Sequence, residues 1–93
     1  MFYVITCIDK PEHNEVRLQY RQEHRSWLES QASRVIGSGP LLTDDGSGVF
    51  GSMLIIDCDS REDAEQFARN DPYNKAGLFH SVKISRWHRV MPS

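Results

Sequence analysis

The first residue whose type and position suggest chemistry is His24, which lies within an apolar pattern of helical spacing. At about 100° per residue, several side chains between residues 16 and 35 fall within one arc of about 120°. In angular order they are Val16, Trp27, Tyr20, Gln31, His24, Val35 and Leu28. Imidazoles ordinarily titrate near neutral pH, so a histidine facing a partly apolar site suits general acid–base catalysis. The position also fits a core histidine whose ring nitrogen bonds a backbone carbonyl.

The second candidate is Asp71, in the run Asn70-Asp71-Pro72-Tyr73. An aspartate before a proline is a good helix N-cap, because its carboxylate accepts backbone N–H groups and proline suits the first helical position. The carboxylate could also hold an imidazole, with one oxygen capping the turn and the other accepting the imidazole N–H. Both interpretations of Asp71 remain open from the sequence.

The third candidate is the segment Gly37-Ser38-Gly39-Pro40-Leu41. Two glycines and a proline allow the backbone to approach a ligand closely, and the same residues also fit a bulge in an edge strand. The segment is not a phosphate-binding loop, because it lacks a lysine followed by serine or threonine and does not open a helix.

Metal chemistry finds no support in the spacing of the histidines and cysteines. His13, His80 and His88 share no metal-ligand spacing with His24, and there is no Cys-x-x-Cys pair. We therefore predict no metal site and no cofactor.

The two cysteines are expected to have no part in the chemistry, and three arginines of the first helix are expected to be solvated. Arg17, Arg21 and Arg25 flank the apolar arc on one side, where solvent can reach them. Cys7 and Cys58 each lie within an apolar run, and we expect both to be reduced and buried.

Length and charge exclude several function classes. The chain has 93 residues, with 11 lysines and arginines against 13 aspartates and glutamates, for a formal net charge of −2. A general nucleic-acid binder would show a basic excess. No apolar run approaches the ~20 residues of a membrane helix, and the N-terminal residues do not resemble a signal peptide. We expect one domain over residues 1–93, cytoplasmic, with neither nucleic-acid nor membrane partners.

The elements that position the candidate residues follow from β-branched runs, caps and turn signals. Strands are predicted at 2–8, 35–42, 52–58 and 79–90, with helices at about 14–35 and from a cap at Ser60 to Asn70. A turn-rich loop covers 43–51, and a short turn at 71–76 is expected to end at Gly77. Pro40 restricts the second strand to a sheet edge or a bulge. The βαββαβ order predicts an α+β, ferredoxin-like fold: a four-stranded antiparallel sheet with two helices on one face.

This arrangement leaves one face of the sheet uncovered. Phe2, Val4, Thr6 and Ile8 point to one side of the first strand, and Tyr3, Ile5 and Cys7 point to the other. Both sets are largely apolar, yet the two helices can cover only one face. A bare apolar face of this size is unusual on a monomer. We therefore predict a homodimer in which sheet packs against sheet.

Together these features resemble the YciI-like family, over essentially the whole chain. The markers, in chain order, are Phe2-Tyr3-Val4-Ile5, Arg21 to His24 with Leu28, Ser38-Gly39-Pro40-Leu41, Gly46, Gly51, Ser60-Arg61-Glu62-Asp63-Ala64, Asp71-Pro72-Tyr73 and Ala76-Gly77-Leu78. The resemblance implies the dimeric α/β-barrel version of the fold, with a pocket in each subunit between the sheet and the first helix. It also implies a histidine–aspartate pair, which falls on His24 and Asp71.

The resemblance further implies a function. His24 would move a proton on a small cyclic or aromatic substrate while Asp71 fixes its tautomer, and Ser38, Gly39, Pro40 and Tyr73 would bind that substrate. Members of the family look like cofactor-free lyases or dehydrochlorinases, related families include isomerases and cofactor-free oxygenases, and many members have no assigned reaction. The alternatives are a binding or regulatory module that uses the same pocket without chemistry, and a domain that serves only assembly. Loops at this place often shape the mouth of a pocket, and the loop Asp44 to Gly51 is short here. The resemblance therefore does not identify the substrate.

Overall fold

The computed structural model describes residues 1–93, and its elements follow the predicted order. They are β1 (Phe2–Asp9), α1 (Asn14–Ser30), β2 (Val35–Leu42), β3 (Val49–Asp57), α2 (Arg61–Asn70), a four-residue helix α3 (Pro72–Lys75) and β4 (Phe79–Trp87). The sheet order is β2-β3-β1-β4, and all neighbouring strands are antiparallel. The predicted ferredoxin-like βαββαβ architecture is confirmed.

The core lies between the helices and one face of the sheet. On β1, Tyr3, Ile5 and Cys7 are buried, whereas the alternate residues are only half-buried. Pairing of Ile5 with Leu54 of β3 continues this buried face across the sheet. Phe67 of α2, 2% exposed, closes the core from the helical side. The alternation follows from the two-residue period of a strand, because successive side chains point to opposite faces.

β2 forms one edge of the sheet, as Pro40 predicts. Pro40 pairs with Ser52 of β3, and no further strand pairs with β2 on its other side. Beside it, Gly51 is buried where a Cβ atom would collide with the backbone carbonyl oxygen of Cys7. This close approach of two strands requires a glycine.

Several boundaries differ from the predicted ones. α1 ends at Ser30 rather than near residue 35, because residues 31–34 form turns and Val35 pairs with Ile56 in the sheet. β3 begins at Val49 instead of residue 52, since the hairpin loop is shorter than its turn-rich composition suggests. β4 ends at Trp87, and residues 88–90 lie outside the sheet.

Helix caps determine the local structure around Asp71, the second candidate residue. The Ser60 side chain accepts the Asp63 N–H at the start of α2, which ends at Asn70 as predicted. The short α3 then begins at Pro72 and is followed by Gly77 in the left-handed conformation, with φ of 77°. No helix of the chain has both the length and the apolar composition needed to cross a membrane.

Candidate functional site

A pocket of about 370 Å³ opens between α1 and the β2–β3 edge of the sheet. Its walls come from α1 (Asn14, Arg17, Leu18, Arg21, His24, Arg25 and Leu28), β2 (Ser38, Gly39 and Pro40), β3 (Val49, Ser52 and Leu54) and α3 (Tyr73). The pocket therefore contains His24 and all four residues predicted to bind substrate. Asp71 does not line it and lies behind His24, only 2% exposed.

His24 and Asp71 are in direct contact at the inner wall of the pocket. The distance from His24 Nδ1 to Asp71 Oδ1 is 2.8 Å, and both side chains are buried. An ionised carboxylate can only accept, so Nδ1 carries the proton and donates it to Asp71. In the neutral imidazole, Nε2 is then the unprotonated nitrogen. Nε2 has no hydrogen-bond partner in the chain, and His24 lines the pocket.

Asp71 performs both of the roles that its sequence context left open. Oδ1 accepts the backbone N–H of Tyr73 at 2.9 Å and caps α3, while also accepting Nδ1–H of His24. The sequence allows one oxygen for each partner, but in the structure a single oxygen serves both. The cap consequently ties the position of the imidazole to the start of α3.

The ring of Tyr73 packs against His24 from the α3 side. Its centroid is 4.0 Å from that of the imidazole, with 15° between the ring planes. Burial raises the pKa of the Tyr73 hydroxyl above its usual value, the nearby charge of Arg17 opposes this rise, and that of Asp71 adds to it. Tyr73 thus stays protonated at neutral pH, and its ring limits the orientations that the imidazole can adopt.

Arg17 is buried, whereas its place beside the apolar arc predicts that it is solvated. Its Nε and Nη2 bond the two carboxylate oxygens of Asp9 at 2.8 Å each, and Nη2 also donates to Ser52 Oγ at 2.9 Å. The guanidinium carbon lies 4.7 Å from the centroid of the Tyr73 ring. Burial acts to lower the pKa of Arg17, but the hydrogen bonds and charge of Asp9 outweigh it and the pKa is raised. Arg17 is therefore a permanent cation at the base of the pocket.

The apolar spacing used to orient α1 did not reveal this role of Arg17. Arg17, Arg21, His24 and Leu28 recur at spacings of four, three and four residues, which places them on one helix face. These four residues form a second stripe along α1, and the sequence alone shows their spacing. Asp9 and Ser52 carried no such signal, because they meet Arg17 only through strand pairing and helix packing.

Cys7 lies in the core near the two carboxylates, and its environment makes it inert. Burial raises the pKa of its thiol to about 12, with the charges of Asp71 and Asp9 adding to the effect and Arg17 opposing it. A thiol that stays protonated is a poor nucleophile. Neither thiol is in a disulfide, and no group of three or more His, Cys, Asp or Glu side chains in the chain converges as a metal site would require.

Comparison with known proteins places this geometry in a family context. The model of the YCII-related domain matches residues 1–88. Protein YciI of Escherichia coli O6:H1 (strain CFT073) is 32% identical over 97 aligned positions, covering 97% of this chain and 99% of that protein. An uncharacterized protein of Haemophilus influenzae is 31% identical over the same span.

Solved structures show the same architecture. The 5-chloro-2-hydroxyhydroquinone dehydrochlorinase of Burkholderia phenoliruptrix AC1100, in complex with 2,5-dihydroxybenzoquinone, is 32% identical with a TM-score of 0.87, covering 95% of this chain and 94% of that one. An antibiotic biosynthesis monooxygenase shares 13% identity and a TM-score of 0.56, over 97% of this chain and 99% of that one. The latter similarity concerns the fold alone.

Proposed function

The chain belongs to the YCII-related domain family, and from this membership and its site we propose that it is a cofactor-free enzyme of the lyase, dehydrochlorinase or isomerase type. In this proposal His24 transfers protons on a small cyclic or aromatic substrate, and Asp71 orients it. The similar dehydrochlorinase, 32% identical, supports a hydroxylated ring as the substrate class.

One observation carries the proposal: His24, which lines the pocket, holds Nδ1 against Asp71 at 2.8 Å and leaves Nε2 without a partner in the chain. A neutral imidazole with this tautomer can take a proton through Nε2, and Asp71 stabilises the imidazolium that forms. Such a pair needs no metal to hold the proton between steps. The stacked ring of Tyr73 keeps the imidazole in this orientation.

For a chlorinated, hydroxylated ring the chemistry balances without an external oxidant or reductant. His24 Nε2 takes a proton from a ring hydroxyl and returns it to the carbon that carries chlorine, as the C–O bond becomes a carbonyl. Chloride then leaves with the electron pair of the C–Cl bond, while His24 Nε2, neutral again, takes the proton of a second ring hydroxyl, which becomes a carbonyl. The net change is loss of HCl. An isomerase would use only the first step.

The four residues predicted to bind substrate support a flat ligand beside His24. Ser38 and Pro40 lie on the side of β2 that faces the helices, because they pair with Leu54 and Ser52 of β3. Gly39 adds backbone between them, and Tyr73, whose ring is stacked on His24, also lines the pocket. We propose that these groups position the substrate, and that His24 and Asp71 carry out the proton transfer.

The test is release of chloride from 5-chloro-2-hydroxyhydroquinone by the purified protein and by two variants. We expect turnover by the wild type, near-complete loss in His24→Ala, and a strong reduction in Asp71→Asn, with the circular dichroism spectrum unchanged. His80→Ala, an exposed histidine on β4, is the matched control. Turnover that survives in both site variants would refute the assignment, and ligand binding without turnover in the wild type would favour a binding module.

We also propose that the protein is a homodimer joined through the open face of the sheet. Phe2, Val4, Ile8 and Ile55 are half-buried on that face with no helix over them, and Met53 is 40% exposed. Sedimentation velocity at micromolar concentration should give a dimer, and Val4→Arg should shift it to a monomer. A wild-type monomer under these conditions would disprove this association.

A further inference from the structure

The walls of the pocket beside His24 carry positive charge and no negative charge. Arg17, Arg21 and Arg25 line it, whereas no aspartate or glutamate does. Arg17 is paired with Asp9, but Arg21 and Arg25 make no ion pair in the chain. The pocket is therefore locally cationic although the whole chain has a formal net charge of −2.

The pocket also contains hydrogen-bond donors that the protein does not use. Arg17 directs Nε and Nη2 to Asp9 and Ser52, which leaves the two N–H groups of Nη1 with at most the Tyr73 hydroxyl as an acceptor in the protein. Arg17 lines the pocket, so its guanidinium lies within reach of a ligand there. Ser52 Oγ accepts from Arg17, so its own proton is available to a ligand. A ligand rich in acceptors matches these groups.

Charge and donors together select an ionised oxygen. Hydrogen bonds from a guanidinium to an anionic oxygen are roughly twice as strong as neutral ones. A concave site lined by one sign of charge also concentrates ligands of the opposite sign. Pro40, Leu28 and Leu54 add apolar surface to the wall. A volume of about 370 Å³ is at the small end for ligand pockets and suits one substituted six-membered ring.

We propose that this pocket selects small monocyclic oxyanions, with Arg21 and Arg25 binding the ionised oxygen at the rim and Arg17 Nη1 with Ser52 bonding an acceptor inside. The inference rests on the proposed function, because it names the substrate class of the same site. The anion would be an ionised enol, phenol or carboxylate on the ring. The same arginines would stabilise the negative charge left when His24 takes a proton.

Isothermal titration calorimetry on the full chain tests this with two matched pairs of probes. They are 2,5-dihydroxybenzoquinone, whose hydroxyls are vinylogous carboxylic acids, against its dimethyl ether, and benzoate against benzamide. We expect the anion of at least one pair to bind about tenfold or more tightly than its neutral partner. Its affinity should fall as sodium chloride is added, because exposed charges are screened.

Variants assign the effect to the arginines. Arg21→Gln and Arg25→Gln should each weaken anion binding by about five- to thirtyfold. Arg69→Gln, an exposed arginine on α2, should leave it unchanged. Equal binding of the neutral partners, unchanged binding in both rim variants, or no binding of either anion at millimolar concentration would overturn the proposal.

The test of anion binding can fail independently of the test of proton transfer by His24. His24→Ala should lose turnover yet keep the preference for the anion, because the arginines remain. Turnover that depends on His24 without any anion preference would remove this inference and leave the proposed function standing. Anion preference with turnover independent of His24 would do the reverse.

Discussion

Two buried polar pairs hold α1 against its neighbours, and both contact the ring of Tyr73. Arg17 and Asp9 share two hydrogen bonds of 2.8 Å, and their side chains are each 9% exposed. His24 and Asp71 share one bond of 2.8 Å, with side chains 10% and 3% exposed. Burial and a carboxylate partner are thus common to both pairs.

The pairs differ in what remains after the hydrogen bond is made. A guanidinium is always protonated, so the Arg17 pair is a fixed charge that positions groups and cannot exchange a proton. An imidazole can be protonated or neutral, so the His24 pair leaves a nitrogen, Nε2, that can exchange a proton. A buried ion pair therefore indicates acid–base chemistry only when one partner titrates and keeps a free atom in a pocket.

The largest effect is expected at the pair that can exchange a proton. His24→Gln should lower kcat by about 10²- to 10⁴-fold, because glutamine can still donate to Asp71 but has no basic nitrogen. Its free energy of unfolding should fall by only about 1–2 kcal/mol. Chloride release and urea denaturation measure the two quantities, with His80→Gln as control. A stability loss as large as that of the Arg17 variant below would erase the distinction between the pairs.

The fixed pair should show the opposite balance. Arg17→Met leaves Asp9 as a buried, unpaired carboxylate and should reduce the free energy of unfolding by about 3–5 kcal/mol. Arg21→Met, on an exposed residue one turn further along α1, is the stability control and should change it by about 0.5 kcal/mol or less.

A double variant sharpens this result. In Arg17→Met with Asp9→Leu both charges are replaced by apolar groups, and most of the lost stability should return. Urea denaturation of the single and double variants checks it. A double variant as unstable as the single one would mean that shape, rather than charge, holds this part of α1.

Two variants of Asp71 distinguish its role in capping α3 from its role in orienting His24. Asp71→Asn keeps an oxygen that can cap α3, whereas Asp71→Ala loses it, so the alanine variant should be about 1 kcal/mol less stable than the asparagine variant. Both should reduce kcat by about 10- to 100-fold, because neither supplies a negative charge to His24. If kcat followed stability instead of charge, Asp71 would be a structural residue only.

The smallest effect is expected at a carboxylate that is hydrogen-bonded but exposed. The backbone N–H of Ser47 and the hydroxyls of Thr43 and Ser47 lower the pKa of Asp45 from 3.8 to about 2. A lowered folded pKa stabilises the fold above pH 4, and this contribution is lost as the pH falls towards 2. An NMR titration of the Asp45 carboxyl should have its midpoint near 2, and Thr43→Val should raise it. A midpoint near 3.8 would contradict the contacts in this loop.

Prediction from sequence succeeded where the signal is local. Pro40 indicated the edge strand, Ser60 the cap of α2, and the alternation along residues 2–8 the two faces of the sheet. It failed at the end of α1, because helical periodicity continued to Val35 while sheet pairing claimed that residue. It also failed at Arg17, whose burial depends on Asp9 and Ser52.

The sequence by itself determined the order of elements, the inward position of His24 and the cap formed by Asp71, because periodicity and capping involve residues a few positions apart. Only the tertiary structure decided that His24 meets Asp71, 47 positions away, and that one carboxylate oxygen serves two donors. It also decided that Arg17 closes on Asp9 and that a cationic pocket forms in a chain of net negative charge. Such contacts depend on how helices pack over a sheet, which no short-range pattern encodes.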